Sequence, residues 1–333
     1  TIKSIGGGTV AGDDEQASAN ADAYGVRFDP YNYEAHNIYH ASLTVNGVIT
    51  GSITAQGGTV KQTSFDSESN SSSSAYGIIN PESTLQANGV SLSVTAVGGS
   101  LTSNLNDDAY AQAEVYGITT SGSQTTSITG ATRLKVQATG GTVSIQTAVE
   151  DEGNGFGSAD ARAYGIDNYI EPSEGDVAPK TSTLTLDSLV AAVTATGGTV
   201  TDRGMPGQNS EASVTAVGIN NQVYRYQGIY DPTGNIKAAS ADLTVTATGG
   251  TAADVNTSAT GIYNRARGGT ATMDITGLAK TTVTATGGAG SRNISTTAIG
   301  INNIAVDNGT ATFRAGSVES TVTATGGAQP AGS

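Results

Sequence analysis

Apolar and polar residues alternate along much of this chain. Val193 and Ala195 alternate with Thr194 and Thr196. Leu243, Val245 and Ala247 alternate with Thr244, Thr246 and Thr248, and Leu92, Val94 and Ala96 with Ser93 and Thr95. A period of two puts each set on its own face of a β-strand. The apolar set is expected to point inward. Threonine is β-branched and soluble, which suits the outer face. A helical reading fails, because no window carries an apolar stripe at 3.6 spacing and 45 residues are glycine.

The strands recur in a fixed phrase. Thr-Ala-Thr-Gly-Gly stands at 194–198, 246–250, 284–288 and 323–327, with blurred copies ending at Gly57-Gly58, Gly98-Gly99 and Gly140-Gly141 and an earlier one at Gly7-Gly8. The intervals are 50, 41, 42, 57, 52, 38 and 39 residues. Between the Gly-Gly marks runs a second word: Ala23-Tyr24-Gly25-Val26, Ala75-Tyr76-Gly77-Ile78, Val115-Tyr116-Gly117-Ile118, Ala163-Tyr164-Gly165-Ile166, Ala216-Val217-Gly218-Ile219, Ala259-Thr260-Gly261-Ile262 and Ala298-Ile299-Gly300-Ile301. Constant words at variable spacing describe stacked units with loops of different length.

The predicted fold is all-β: an elongated right-handed parallel β-helix, a β-solenoid, with about two rungs of about 20 residues per repeat. One large rung per repeat is the competing arrangement. Fourteen rungs at about 4.8 Å make a rod of roughly 65 Å. The Val-x-Ala residues before each Gly-Gly are expected to stack in inner columns, as are Ala23, Ala75, Ala163, Ala216, Ala259 and Ala298. Gly-Gly is read as a corner that uses positive φ. The Ile after each Ala-x-Gly has outward parity, so a bend at that glycine must reset the alternation. One domain over 1–333 is expected. Residues 326–333 read as the start of a further unit or a linker, which suggests a fragment of a longer exported protein.

Longer units carry insertions near 27–40, 149–158, 167–180 and 220–236. Three of these hold tyrosines: Tyr31, Tyr33 and Tyr39; Tyr169; and Tyr224, Tyr226 and Tyr230. Tyrosine offers large contact area with little rotamer entropy to lose, so these seven are the candidate contact residues. The plainer reading is that the loops fold back over exposed edges.

Net charge is −14 with 15 Lys and Arg, which argues against a nucleic-acid partner. The absence of cysteine removes thiolate chemistry and disulfides. No 18-residue apolar run is present. Glu34, His36 and His40 read as loop residues. Asp13-Asp14-Glu15 and Glu150-Asp151-Glu152 could hold calcium through oxygen ligands, but the nonapeptide calcium repeat is missing and no cofactor is expected. Asp187 and Asp274 are the acids within predicted strands. They fall in different units, so catalysis is not expected. A glycan-active lyase or hydrolase would need two close carboxylates on neighbouring rungs. The outward Thr194/Thr196, Thr246/Thr248, Thr284/Thr286 and Thr323/Thr325 pairs resemble the threonine ladders of ice-binding solenoids, although two rungs per repeat would interrupt them.

Units such as Gly57-Gly58-Thr59-Val60 with Ala75-Tyr76-Gly77-Ile78, and Gly197-Gly198-Thr199-Val200 with Ala216-Val217-Gly218-Ile219, resemble the passenger regions of monomeric bacterial autotransporters. The likeness covers nearly the whole chain and rests on repeat rhythm and composition. It implies a cell-surface or secreted location, a C-terminal β-barrel in the full-length protein, and an adhesin role. The partners implied are glycans or proteins of host or bacterial surfaces, including self-association between cells. A passive spacer shaft is the alternative. No family catalytic residue maps onto this chain.

Overall fold

The computed structural model describes residues 1–11, 17–28, 31–32, 37–38, 41–62, 68–103, 108–145, 156–172, 178–202, 210–225 and 231–329. Two parallel sheets face each other across the core. The first holds eight strands in chain order: Ile2–Ile5, Ser42–Gln56, Thr84–Val97, Gln124–Thr139, Thr181–Thr196, Thr233–Thr248, Thr270–Thr286 and Thr310–Thr325. The second holds the Ala-x-Gly-Ile words, on Ala21–Arg27, Ser73–Pro81, Ala113–Ser121, Ala161–Ile170, Ser210–Tyr224, Thr251–Arg267 and Ala289–Val306. The chain visits the sheets alternately, so it is a parallel β-solenoid.

The register corrects the rung count. Val94 pairs with Val136, Val136 with Val193, Val193 with Val245, Val245 with Val283 and Val283 with Val322. Each offset equals a whole repeat, so there is one large rung per repeat and not two. The two halves of a repeat lie in opposite sheets and never pair with each other. Every residue therefore stacks on its own counterpart, and eight strands at about 4.8 Å give a stack of roughly 34 Å. The first mark also moves by one: Gly8 pairs with Thr59, so Gly6-Gly7 occupies the first corner.

The inner columns stand where the alternation places them. Val94, Val136, Val193, Val245 and Val283 are buried, and so are Ala23, Ala75, Ala163, Ala216 and Ala259. The second set stacks in register, with Val115 between Ala75 and Ala163. The reset at the glycine is present too. Gly77 and Ile78 are both buried, and Ile118, Ile166, Ile219 and Ile262 repeat the burial. The glycine lets this strand approach the first sheet: a Cβ on Gly77 would lie 2.9 Å from Leu92 Cδ1 and 3.1 Å from Val94 Cγ2.

The Gly-Gly corners work differently from expectation. Among the described residues, positive φ at glycine occurs only at Gly122, Gly268 and Gly269. The corner glycines are needed because backbone packs on backbone. A Cβ on Gly57 would lie 2.6 Å from the nitrogen of Gly99, and one on Gly249 would lie 2.2 Å from the nitrogen of Gly288. In four of the pairs the second glycine also bonds across the rung: Gly58 N to Ala19 O at 3.0 Å, Gly99 N to Ser71 O at 3.1 Å, Gly141 N to Ala111 O at 3.2 Å and Gly198 N to Ala159 O at 3.2 Å. This pinch divides the interior. The main core lies between the sheets, and a smaller one of Val60, Leu101, Ala109, Ala111, Val143 and their neighbours lies beyond it.

A file of buried polar residues also runs along the stack. Thr120 Oγ1 donates to Asn168 Oδ1 at 2.8 Å. Asn168 Nδ2 donates to Asn221 Oδ1 at 2.6 Å, Asn221 Nδ2 to Asn264 Oδ1 at 2.8 Å, and Asn264 Nδ2 to Asn303 Oδ1 at 2.7 Å. Asn221 and Asn264 are fully buried while Asn303 is exposed. Asn221→Ala leaves a buried donor and a buried acceptor unpaired, and should destabilise the fold by about 2–4 kcal/mol. Asn303→Ala, at the exposed end, should cost about 1 kcal/mol or less. Urea denaturation of the two variants checks this, and equal losses would refute the ladder's contribution.

Candidate functional site

Where rungs are longer, the extra residues enter at two places. One lies between the short strands of the smaller core, for instance between Thr142–Ile145 and Gly157–Ser158. The 149–158 insertion opens there. The other is the corner that leads from the second sheet to the first. It is a short turn after Pro81, Ser121, Arg267 and Val306, and is longer after Arg27, Ile170 and Tyr224. The insertions at 27–40, 167–180 and 220–236 therefore share one corner. Two of them are shorter than their sequence boundaries, because Asp167–Ile170 and Asn220–Val223 remain in strands and pair with each other.

Tyr169 and Tyr224 thus stand on strands and not on loops. After the reset at the glycine, alternate residues point outward again. On Ala161–Ile170 these are Asp167 and Tyr169, on Ser210–Tyr224 they are Asn220, Gln222 and Tyr224, and on Thr251–Arg267 they are Tyr263 and Arg265. The three strands are neighbours, so these side chains form one wall beside the corner. Tyr169 and Tyr224 meet with ring centroids 5.4 Å apart and planes at 41°. The Arg265 guanidinium lies over the Tyr224 ring, 5.5 Å from its centroid, a cation–π geometry.

A directed chain of hydrogen bonds crosses the wall. Arg265 donates to Tyr224 Oη at 3.3 Å, and Tyr224 Oη donates to Gln222 Oε1 at 2.7 Å. Gln222 Nε2 donates to Asn220 Oδ1 at 2.8 Å, and Asn220 Nδ2 to Asp167 Oδ1 at 2.6 Å. Every donor points towards the Asp167 carboxylate, so the groups hold one another in place. Tyr169 Oη donates to Glu171 Oε2 at 2.6 Å, which fixes that ring while 38% of the residue stays exposed. The register pairs Asn168 with Thr120, so the place beside Tyr169 on the preceding rung falls to Ser121. One ring face of Tyr169 is therefore flanked by a small side chain. The corner is braced by Lys180, whose Nζ lies 3.1 Å from Glu82 Oε1, while Glu82 Oε2 accepts from Ser123 N at 2.9 Å.

Above the wall runs an aromatic stack. Tyr24, Tyr76, Tyr116 and Tyr164 follow one another at centroid spacings of 5.2, 5.1 and 5.1 Å with planes within 8°. Burial pushes Tyr76 and Tyr164 up to about 12 and raises Tyr116 as well. These three rings are uncharged at neutral pH. The rings of the stack cover each other, so it stiffens the sheet and offers mainly edges to a ligand.

Of the predicted contact residues, the structure brings Tyr169 and Tyr224 together. Tyr31 lies in a two-residue antiparallel pair, Tyr31–Asn32 with Asn37–Ile38. Tyr33, Tyr39, Tyr226 and Tyr230 lie outside the described residues, as do Glu34, His36, His40 and both calcium candidates. Among the described residues no group of three His, Cys, Asp or Glu is placed to hold a metal. Asp187 stands exposed in Thr181–Thr196, and Asp274 lies between Lys237 and Arg314 in register. Carboxylates do fall on neighbouring rungs: Glu211 is in register with Asp254, where Glu211 Oε1 accepts from Asn256 Nδ2 at 3.0 Å and Asp254 accepts from Arg292, and Glu114, which accepts from Tyr116 Oη at 2.7 Å, lies on the rung before Asp167. Sequence reasoning missed Asp167, Asn220, Gln222, Tyr263 and Arg265, although continuing the alternation beyond each Gly-Ile would have set them on one face.

The fold and this wall define the chain as a repeat β-solenoid scaffold. No protein-family model, curated protein or solved structure matches it. Among the described residues no helix is long and apolar enough to cross a membrane, which says nothing of membrane-spanning strands.

Loss of hydration pushes the Asp167 carboxyl up to about 6; the Asn220 hydrogen bond opposes this and the charge of Glu114 adds to it. The folded protein thus holds the proton more tightly than the unfolded chain. The stabilisation is complete below about pH 4 and is lost as pH rises through about 6. Asp167→Asn keeps an acceptor for Asn220 and removes the ionisation. It should be more stable than the parent by about 1 kcal/mol at about pH 7.5, with a flatter profile between about pH 4 and 7. Denaturation across that range tests this, and an unchanged profile would mean that Asp167 is hydrated in the fold.

Proposed function

We propose that this chain is a surface-displayed binding scaffold of the adhesin type, acting without catalytic turnover. The observation that carries the reading is the wall at Tyr169: an aromatic ring with one face beside a small residue, held by Glu171 and Tyr224. It stands at the corner from which the insertions of two adjacent rungs leave the stack. Rigid, pre-oriented aromatic and guanidinium groups are the usual anchors of recognition surfaces. Neighbouring polar groups with fixed donors and acceptors suit a glycan or a protein loop on a host or bacterial surface. Tyr31, Tyr33, Tyr39, Tyr226 and Tyr230 fall in the sequence of the insertions that leave the stack at the same corner. The repeat rhythm supports a bacterial autotransporter passenger, displayed on the cell surface or secreted, with a C-terminal β-barrel in the full-length protein. A rigid stack can present several weak contacts together, so avidity replaces a deep pocket.

Cells displaying the chain on a barrel should adhere better than cells displaying the barrel alone. Tyr169→Ala combined with Tyr224→Ala should bring adhesion down to the barrel-only level. Full adhesion in the double variant would sink the wall as the contact site. Adhesion of the parent no better than barrel alone would leave the passive spacer in front.

The threonine files favour a second reading. With one rung per repeat they are not interrupted. Thr194, Thr246, Thr284 and Thr323 follow on consecutive rungs, and so do Thr196, Thr248, Thr286 and Thr325. An ice-binding face predicts thermal hysteresis that Thr246→Tyr abolishes. A purified chain with no hysteresis would exclude it.

A further inference from the structure

The outer face of the first sheet carries one site unlike the rest. Arg133 and Lys135 stand two residues apart on Gln124–Thr139, both exposed. The register sets Ser91 and Ser93 beside them on one rung, and Val190 and Ala192 on the other. These four side chains are short, so the two long cations border an open recess of about 330 Å³ over the strand backbone at Leu92 and Leu134, whose side chains face the core. Val190 is 50% exposed within it.

Lys237, Lys280 and Arg314 on the same sheet have acids beside them. Lys280 Nζ lies 3.1 Å from Asp242 Oδ2, and Lys237 and Arg314 flank Asp274 in register. Arg133 and Lys135 have no protein hydrogen bond or ion pair among the described residues. Two like charges about 7 Å apart repel each other. In a chain of net charge −14, such a pair without an internal counter-ion is a local positive well.

We propose that this recess binds an anionic sugar residue of an acidic glycan. The planar guanidinium of Arg133 offers a two-pronged donor to a carboxylate or sulfate. Lys135 supplies a second positive charge on the same side. Ser91 and Ser93 offer hydroxyls to sugar hydroxyl groups, and exposed Val190 offers an apolar contact to a C–H face. The volume sits at the small end of the range for ligand sites, about 300–1,000 Å³, which suits one sugar unit within a longer chain. The site lies on the opposite sheet from Tyr169 and does not depend on that wall.

The test is calorimetric titration of the whole chain with a uronate trisaccharide, a sulfated trisaccharide, and the neutral trisaccharide in which the carboxylates are reduced to alcohols. At least one anionic probe should bind, with affinity falling as salt rises, and the neutral one should not. Which of the two anionic probes binds more tightly identifies the preferred group. Arg133→Gln with Lys135→Gln should weaken binding by about tenfold or more. Lys237→Gln with Arg314→Gln removes the same charge from the same sheet and should change affinity by less than about twofold. Tyr169→Ala with Tyr224→Ala should leave this binding intact whatever it does to adhesion. The proposal is overturned if neither anionic probe binds, if the neutral probe binds equally, or if free sulfate binds as tightly as the oligosaccharides. It is also overturned if both glutamine pairs weaken binding alike, which would mean attraction to charge in general.

Discussion

At each Gly-Gly corner the backbone of one rung lies directly against the backbone of the next. A single added carbon on Gly98, Gly140, Gly197 or Gly287 would meet a glycine nitrogen of the following rung at 2.3–2.5 Å. This contact constrains everything else. It brings the second glycine within hydrogen-bonding reach of the carbonyls of Ser71, Ala111 and Ala159, which pinches the rung and separates the two cores. It also locks the register, since a slip by one residue would put Thr or Ser where only glycine fits and would turn every apolar residue outward.

Locked register makes the molecule a set of files. Each side chain stacks on its counterpart about 4.8 Å away. Small and β-branched residues fill most of the inside, and an asparagine ladder runs among them. Buried amides are costly alone, but in a file each supplies the acceptor that the next one needs. Tyrosines that would otherwise be isolated on the surface become a four-ring stack. Where a file changes residue type, a local site arises. The wall around Tyr169 is such a place, where aromatic and amide side chains replace the hydroxyls of the preceding rung. The recess at Arg133 and Lys135 is another, where two long cations rise between serines and small apolar residues.

The same constraint decides where the chain can vary. Residues added inside a ladder strand would break register on both sides. Residues added between Ile145 and Gly157, or between Ile170 and Thr181, leave every pairing intact. Loops of different length therefore collect at two places on the rung, and the corner beside Tyr169 gathers three of them. A scaffold that holds its ladder constant while its corner loops diverge is suited to presenting a surface, because the loops change without repacking the core.

The sequence by itself determined the strands, their inner and outer faces, the inner Val and Ala columns and the bend after each Ala-x-Gly. A period of two and an exact repetition of words carry that information locally. It did not determine the rung count, because one large rung and two small ones both satisfy the same alternation. Only the pairing of whole repeats separates them. Tyr169 and Tyr224 were legible as candidate contacts but were assigned to loops. The Asn168 and Asn221 that precede them look like turn residues in one dimension and prove to be buried ladder members in three. The alternation could set the wall residues of each strand on one face, but which of them become neighbours, there and at the cationic recess, was not legible. Successive members of Asp167, Asn220 and Arg265, or of Ser91, Arg133 and Val190, lie 42 to 57 residues apart, and stacking alone makes them neighbours.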